Sequence, residues 1–205
     1  MGRMKYAITI ILCALFLASS FSPALADGSS RIWIPWRTQF DGTQYAAGNC
    51  GPASLAMAMS YYGEWWSNAH VRRTVNSYMG YWGLDGGSSW EALAYAADVY
   101  GFETRGLNER WELDELVAAT SAGHPVILLV RYWLLPGHAD DAWWGDHYIV
   151  FLGLTEDGRV VYHDPAYYDE YWGSYRVMSQ EQLERAWTRT ASGLQHTALS
   201  IWPPY

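Results

Sequence analysis

The hydrophobic pattern changes period near residue 124, and this change limits the fold more than any other feature of the chain. Before it, helix formers and apolar residues are dense over 51–62, 68–78, 88–100 and 112–121, with Gly63, Gly101 and Gly123 as natural stops. The first segment is apolar on all sides, which predicts a buried helix. Ser88-Ser89-Trp90-Glu91 reads as a capping box opening the third, after a loop at Gly83–Gly87. Beyond the change, 125–133, 147–154 and 159–163 are β-branched and apolar runs that read as strands. Asp157-Gly158 between the last two is a hairpin signal. A helix over 180–188 and a strand over 197–202 close the chain, and 31–36 alternates loosely like a short strand. Helices first and an antiparallel sheet after predict an α+β architecture. No repeat, low-complexity tract or linker divides residues 27–205, which are expected to form one domain with its own core.

Residues 1–26 follow a different logic. Arg3 and Lys5 precede an apolar run from Tyr6 to Leu17, and Ala24-Leu25-Ala26 supplies a small-residue site before Asp27. That is the pattern of a secretory signal, and the run is shorter than the roughly 20 residues of a membrane span. Cleavage near Ala26 and a secreted or cell-surface location are expected, a retained anchor being the competing reading. No later stretch is apolar enough for stable membrane insertion of the mature chain.

Arg3 and Lys5 are two of the 13 basic residues, so the mature chain carries 11 against 21 acidic ones, a net charge of −10. Nucleic acid is excluded as an expected partner, because phosphate recognition needs clustered positive charge. The 13 Trp and 16 Tyr mark a folded chain with aromatic groups to spare. Trp143-Trp144, three residues before His147, are the aromatic pair best placed to line a peptide groove, against the ordinary alternative of core filling.

Of the two cysteines, Cys13 lies inside the signal, so Cys50 is the mature chain's single thiol and has no internal partner for a disulfide. It stands before Gly51-Pro52 at the start of the first helix. There the helix dipole favours the thiolate, and Gly51 leaves the sulfur open to approach. A small buried hydrophobe is the alternative. A nucleophilic cysteine needs a base, and the base needs an orienting group. His147 opens a strand next to a possible cleft, and Asp164 ends the partner strand ahead of Pro165. The two share one face, but a two-residue turn at Asp157-Gly158 sets Asp164 across from Phe151, roughly 13 Å from His147. Register thus leaves the contact open, with a shifted turn or a bulge able to close it. Asp146 and His163 are the local rivals, expected on the opposite face. Gln44, six residues before Cys50, carries an amide able to donate to an oxyanion. Asn49, beside the cysteine, is expected with Trp143 and Trp144 to contact substrate.

The segments Gln44–Gly63, Gly123-His124-Pro125-Val126, His147-Tyr148-Ile149-Val150 and His163-Asp164-Pro165 resemble, in order and spacing, the papain-like cysteine peptidases. The resemblance is strongest to the family that processes double-glycine leaders of bacteriocins and its free-standing relatives. It implies a papain-like fold with the nucleophile at a helix N-terminus, and a cysteine peptidase with Cys50 as nucleophile, His147 as base and then acid, Asp164 as orienter and Gln44 as oxyanion donor. The implied partner is a peptide or protein substrate, with no cofactor and no metal. The chain holds no Gly-x-x-x-x-Gly-Lys-Ser/Thr motif or transporter helices, so leader cleavage does not carry over directly. A cell-wall peptide hydrolase or transpeptidase with the same triad, and a non-catalytic binding module, are the competing functions. Metal hydrolysis is disfavoured, since no His-Glu-x-x-His occurs.

Overall fold

A computed structural model describes residues 31–80, 87–106, 110–141 and 143–204; the signal segment with Cys13 and most of the 83–87 loop lie outside the described residues. In chain order the elements are α1 (Cys50–Ser60), α2 (Asn68–Met79), α3 (Trp90–Val99), β1 (Glu103–Arg105), α4 (Leu113–Ser121), β2 (Val126–Arg131), β3 (Asp146–Leu154), β4 (Val160–His163), α5 (Glu170–Gly173), β5 (Arg176–Met178), α6 (Gln180–Thr188) and β6 (Ala198–Trp202). The six strands form one antiparallel sheet in the order β1-β6-β2-β3-β4-β5. The architecture is the expected α+β.

Strand alternation sorts the core into two faces. Ile127, Leu129, Tyr148, Leu199 and Ile201 pack with residues of α1, α2 and α3. Val126, Leu128, Val130, Ile149 and Phe151 pack with Leu116 of α4 and with Leu183, Ala186 and Trp187 of α6. Every residue of α1 from Gly51 to Ser60 is buried, as its all-round apolar sequence predicts. The helix is pinned to the sheet by Ser54 Oγ donating to the Tyr148 carbonyl at 3.3 Å.

Two local expectations shift. Ser89, not Ser88, caps α3 by accepting from the Ala92 N–H, so Glu91 falls in the first turn and not at the box position. Residues 31–36 make only an isolated bridge from Arg31 to Gly153, with Ile32 N–H donating to Leu152 O at 2.9 Å. The short elements β1, β5 and α5 are too brief to show a period in sequence.

Candidate active site

The open register is closed by a longer turn and a bulge. Thr155 N–H donates to Arg159 O at 2.8 Å and Gly158 N–H to Thr155 O at 2.9 Å, so the turn is wider than Asp157-Gly158 alone. A bulge between Phe151 and Gly153 then shifts the pairing, and Val150 faces His163. One step further places Asp164 level with Ile149, two residues from His147 instead of four. Side chains on one face bridge that distance: His147 Nε2 donates to Asp164 Oδ1 at 2.8 Å. His147 is 3% exposed and Asp164 is fully buried.

The rivals are occupied elsewhere. Asp146 accepts from the backbone N–H groups of Ala191 and Ser192. His163 Nε2 donates to Ile34 O at 2.7 Å, and its Nδ1 accepts from Tyr175 N–H at 3.1 Å.

With Nε2 committed to Asp164, the other ring nitrogen of His147 is the one left for the thiol, and His147 and Cys50 act on each other electrostatically. Burial pushes the Cys50 thiol up. His147, the Tyr148 N–H on the sulfur and the nearby Arg72 guanidinium outweigh it, and the thiol ends below its ordinary value. Burial likewise pushes His147 down. Asp164 and the Cys50 sulfur overcome it and hold the imidazole up to about 10. Asp164 is pushed up by burial but held well below the usual carboxylate range by His147 and His138. Its backbone is fixed as well, with its N–H on Gly173 O at 2.9 Å and its carbonyl accepting from Trp36 Nε1 at 2.8 Å. An ideal Cβ on Gly173 would lie 2.4 Å from the Trp36 ring, so this close approach requires glycine.

Asn49 departs from its expected role. Its side chain is fully buried, donating through Nδ2 to Asp41 at 3.2 Å and accepting at Oδ1 from Arg72 Nε at 2.8 Å. It therefore cannot touch substrate, and it does not cap α1 either. Its work is to tie the 41–49 loop to Arg72, which also donates to the carbonyls of Gly48 and Gly87. Trp143 and Trp144 are exposed, Trp144 resting against Trp133 at 5.1 Å between ring centroids. Gln44 is exposed and makes no hydrogen bond among the described residues.

Two residues at this site escape the sequence reading. Gln39 is buried, its N–H donates to Pro165 O at 2.8 Å, and its Nε2 donates to the carbonyls of Ala46 and Ala47 at 3.2 and 3.1 Å. It thus links the loop after Asp164 to the turn before Cys50, while its Oε1 has no partner among the described residues. His138, in the segment between β2 and β3, is 3% exposed and donates to Asp164 Oδ2 at 2.9 Å. Counting back from Cys50 selects Gln44, and nothing local marks either Gln39 or His138.

A helix-borne thiol, a strand-borne histidine and a carboxylate at the end of the neighbouring strand are the layout of the papain-like cysteine peptidases. The solved structures agree on the fold. The peptidase domain of Streptococcus ComA, a bi-functional ABC transporter involved in a quorum sensing pathway, is 24% identical, with a TM-score of 0.54 over 77% of this chain and 93% of that one. A double glycine motif protease from an AMS/PCAT transporter, in complex with its leader peptide, is 22% identical, with a TM-score of 0.55 over 85% and 94%. A protein from Bacillus anthracis described as a C39-like peptidase is 18% identical, with a TM-score of 0.56 over 83% and 94%. No curated protein matches the chain. The model of the Peptidase_C39 like family matches residues 31–194, and the chain belongs to that family. It is a cysteine-type peptidase.

Proposed function

We propose that the protein hydrolyses peptide amides through a Cys50–His147–Asp164 triad, and that it does so outside the membrane once residues 1–26 are removed. The observation that carries this reading is the 2.8 Å bond that holds His147 on the buried Asp164, with the Cys50 thiol lowered by the charge of that His147. In this mechanism the thiolate attacks the amide carbonyl carbon and forms a C–S bond. His147 gives its proton to the departing amine as the C–N bond breaks. Water, deprotonated by His147, then cleaves the thioester and restores the thiol. Asp164 keeps the ring aligned and stabilises the imidazolium. N–H groups at the start of α1 donate to the oxyanion. Gln44, the donor expected from spacing, stands exposed, whereas Gln39 is buried at the site. Trp143 and Trp144 form the exposed wall that a peptide would meet. The leader peptide bound to the PCAT relative supports a peptide substrate here.

The test is incubation of the purified 27–205 protein with a diverse peptide mixture and mass readout of the products, for wild type, Cys50→Ala and iodoacetamide-treated protein. Cleavage by wild type alone is the expected result. Cleavage that persists in Cys50→Ala contradicts the reading. The same products with an added amine acceptor distinguish transpeptidation, which yields an acyl-amine adduct.

A further inference from the structure

Asp164 has two carboxylate oxygens and no exposure to water. Oδ1 accepts from His147 Nε2 and from Ala166 N–H, both at 2.8 Å. Oδ2 accepts from His138 Nε2 at 2.9 Å. The far nitrogen of His138, Nδ1, meets Asp141 Oδ2 at 2.8 Å, and the same Asp141 oxygen accepts from Tyr132 OH at 2.9 Å. Ionised carboxylates only accept hydrogen bonds, so both contacts of His138 are satisfied together only when both ring nitrogens carry a proton. The contacts then run in a row from His147 through Asp164 and His138 to Asp141. Cys50 is partly exposed and Asp141 is exposed, while His147, Asp164 and His138 are buried.

The ring of His138 is clamped as well as bonded. Tyr132 stacks on it at 4.1 Å and meets His147 edge-on at 5.2 Å. Tyr167 lies against it at 4.9 Å, with the Arg176 guanidinium 4.7 Å above the Tyr167 ring. Arg176 Nη2 also donates to Pro136 O at 2.6 Å. The turn that delivers His138 needs Gly137, whose φ of 91° is left-handed and whose ideal Cβ would sit 2.8 Å from Tyr167 OH.

We infer that His138 is a positioning residue of the catalytic centre, holding Asp164 from the side opposite His147 and latching the 132–141 segment onto it through Asp141 and Tyr132. The inference rests on the triad proposed above. His138 acts through Asp164 and touches neither substrate nor thiol. With Oδ2 held as well as Oδ1 the carboxylate has one orientation toward His147; without His138, Oδ2 is left buried without its donor and the aim of Oδ1 loosens. His138 also helps keep Asp164 ionised, so its loss brings protonation of Asp164 to higher pH.

The test compares His138→Leu, His138→Gln and Asp141→Asn by two readouts: the pH profile of Cys50 alkylation by iodoacetamide, and kcat and KM on the best-cleaved peptide. Expected for His138→Leu is a kcat lower by about tenfold or more with KM within about twofold, and an acid limb of alkylation moved to higher pH. His138→Gln, whose amide can still donate to Oδ2, should recover most of kcat, and Asp141→Asn should lose about two- to fivefold. A His138→Leu protein with wild-type kcat and an unmoved acid limb overturns the inference. So does a His138→Gln protein as impaired as His138→Leu, since that loss would follow packing and not the hydrogen bond. If His138→Leu does not fold, the acid limb in Asp141→Asn decides: a shift supports the latch and an unmoved limb overturns it. Wild-type Cys50 that is unreactive below the ordinary thiol range would instead contradict the proposed triad, which separates the two failures.

Discussion

His147 and His163 are buried alike, on neighbouring strands of one sheet, and end in opposite electrostatic states. His147 is 3% exposed and His163 is fully buried, and burial pushes both imidazoles toward the neutral form. His163 faces the Ile34 carbonyl and the Tyr175 N–H, neither of which carries a charge, and it falls to about 4. His147 faces a buried carboxylate and a thiol, and rises to about 10. The contrast shows that desolvation alone makes a histidine inert. A buried counter-charge, itself held ionised, is what turns the same side chain into half of an ion pair. Residues 163 and 164 lie next to each other in β4 and its exit, so alternation sends one side chain into the apolar interior and the other into the site.

The largest test of this contrast is Asp164→Asn. The change keeps shape and burial but removes the charge, so His147 should come to resemble His163. The expected loss in kcat/KM is about 10²- to 10⁴-fold, and Cys50 alkylation should move toward that of an ordinary thiol. Retention of more than about a tenth of wild-type activity would break the comparison.

Stability against pH gives the next effect, with opposite signs for the two residues. His163 has a folded value below its unfolded one, so its contribution is present above about pH 6.5 and is lost as pH falls toward 4. The total is on the order of 3 kcal/mol. His147 is raised, so its contribution is present below about pH 6.5 and is lost as pH rises toward 10. Urea midpoints across this range should therefore fall at the acid end in wild type and fall less in His163→Gln. An equal acid slope in both proteins would remove His163 from the account.

Much of this was legible in sequence because it rests on period and order. The dense apolar helix after Cys50, the strands at 126–131 and 146–154, and the order Cys50, His147, Asp164 all carry local signals. The His147–Asp164 contact was not fixed by pattern, because a bulge at Phe151–Gly153 moves the register by an amount no single residue announces. Asn49 misled because a polar residue beside a thiol looks accessible, whereas the buried Arg72 that claims it lies 23 residues away. Gln39 and His138 were hidden for the same reason. Their roles come from contacts with Pro165 and Asp164, made by the tertiary fold.

Smaller effects sharpen the picture. Gly173→Ala should displace Trp36 from Asp164 and cost about 1–3 kcal/mol, with a parallel fall in activity readable from melting and turnover of one preparation. Unchanged turnover would mean that the Trp36 hold on the Asp164 backbone is dispensable. Trp143→Ala and Trp144→Ala should leave stability within about 0.5 kcal/mol. If they wall the peptide groove, KM should rise by about two- to tenfold at constant kcat. A fall in kcat without a change in KM would move them from the groove to the support of His147.

The contrast between the two histidines is read most directly by their side-chain ¹⁵N–¹H NMR signals in the folded protein near neutral pH. The expected spectrum shows His147 with protons on both nitrogens, losing one only near pH 10, and His163 with a single proton on Nε2 until about pH 4. A His147 that is neutral near pH 7, with the same one-proton signature as His163, would contradict the ion pair on which the account depends.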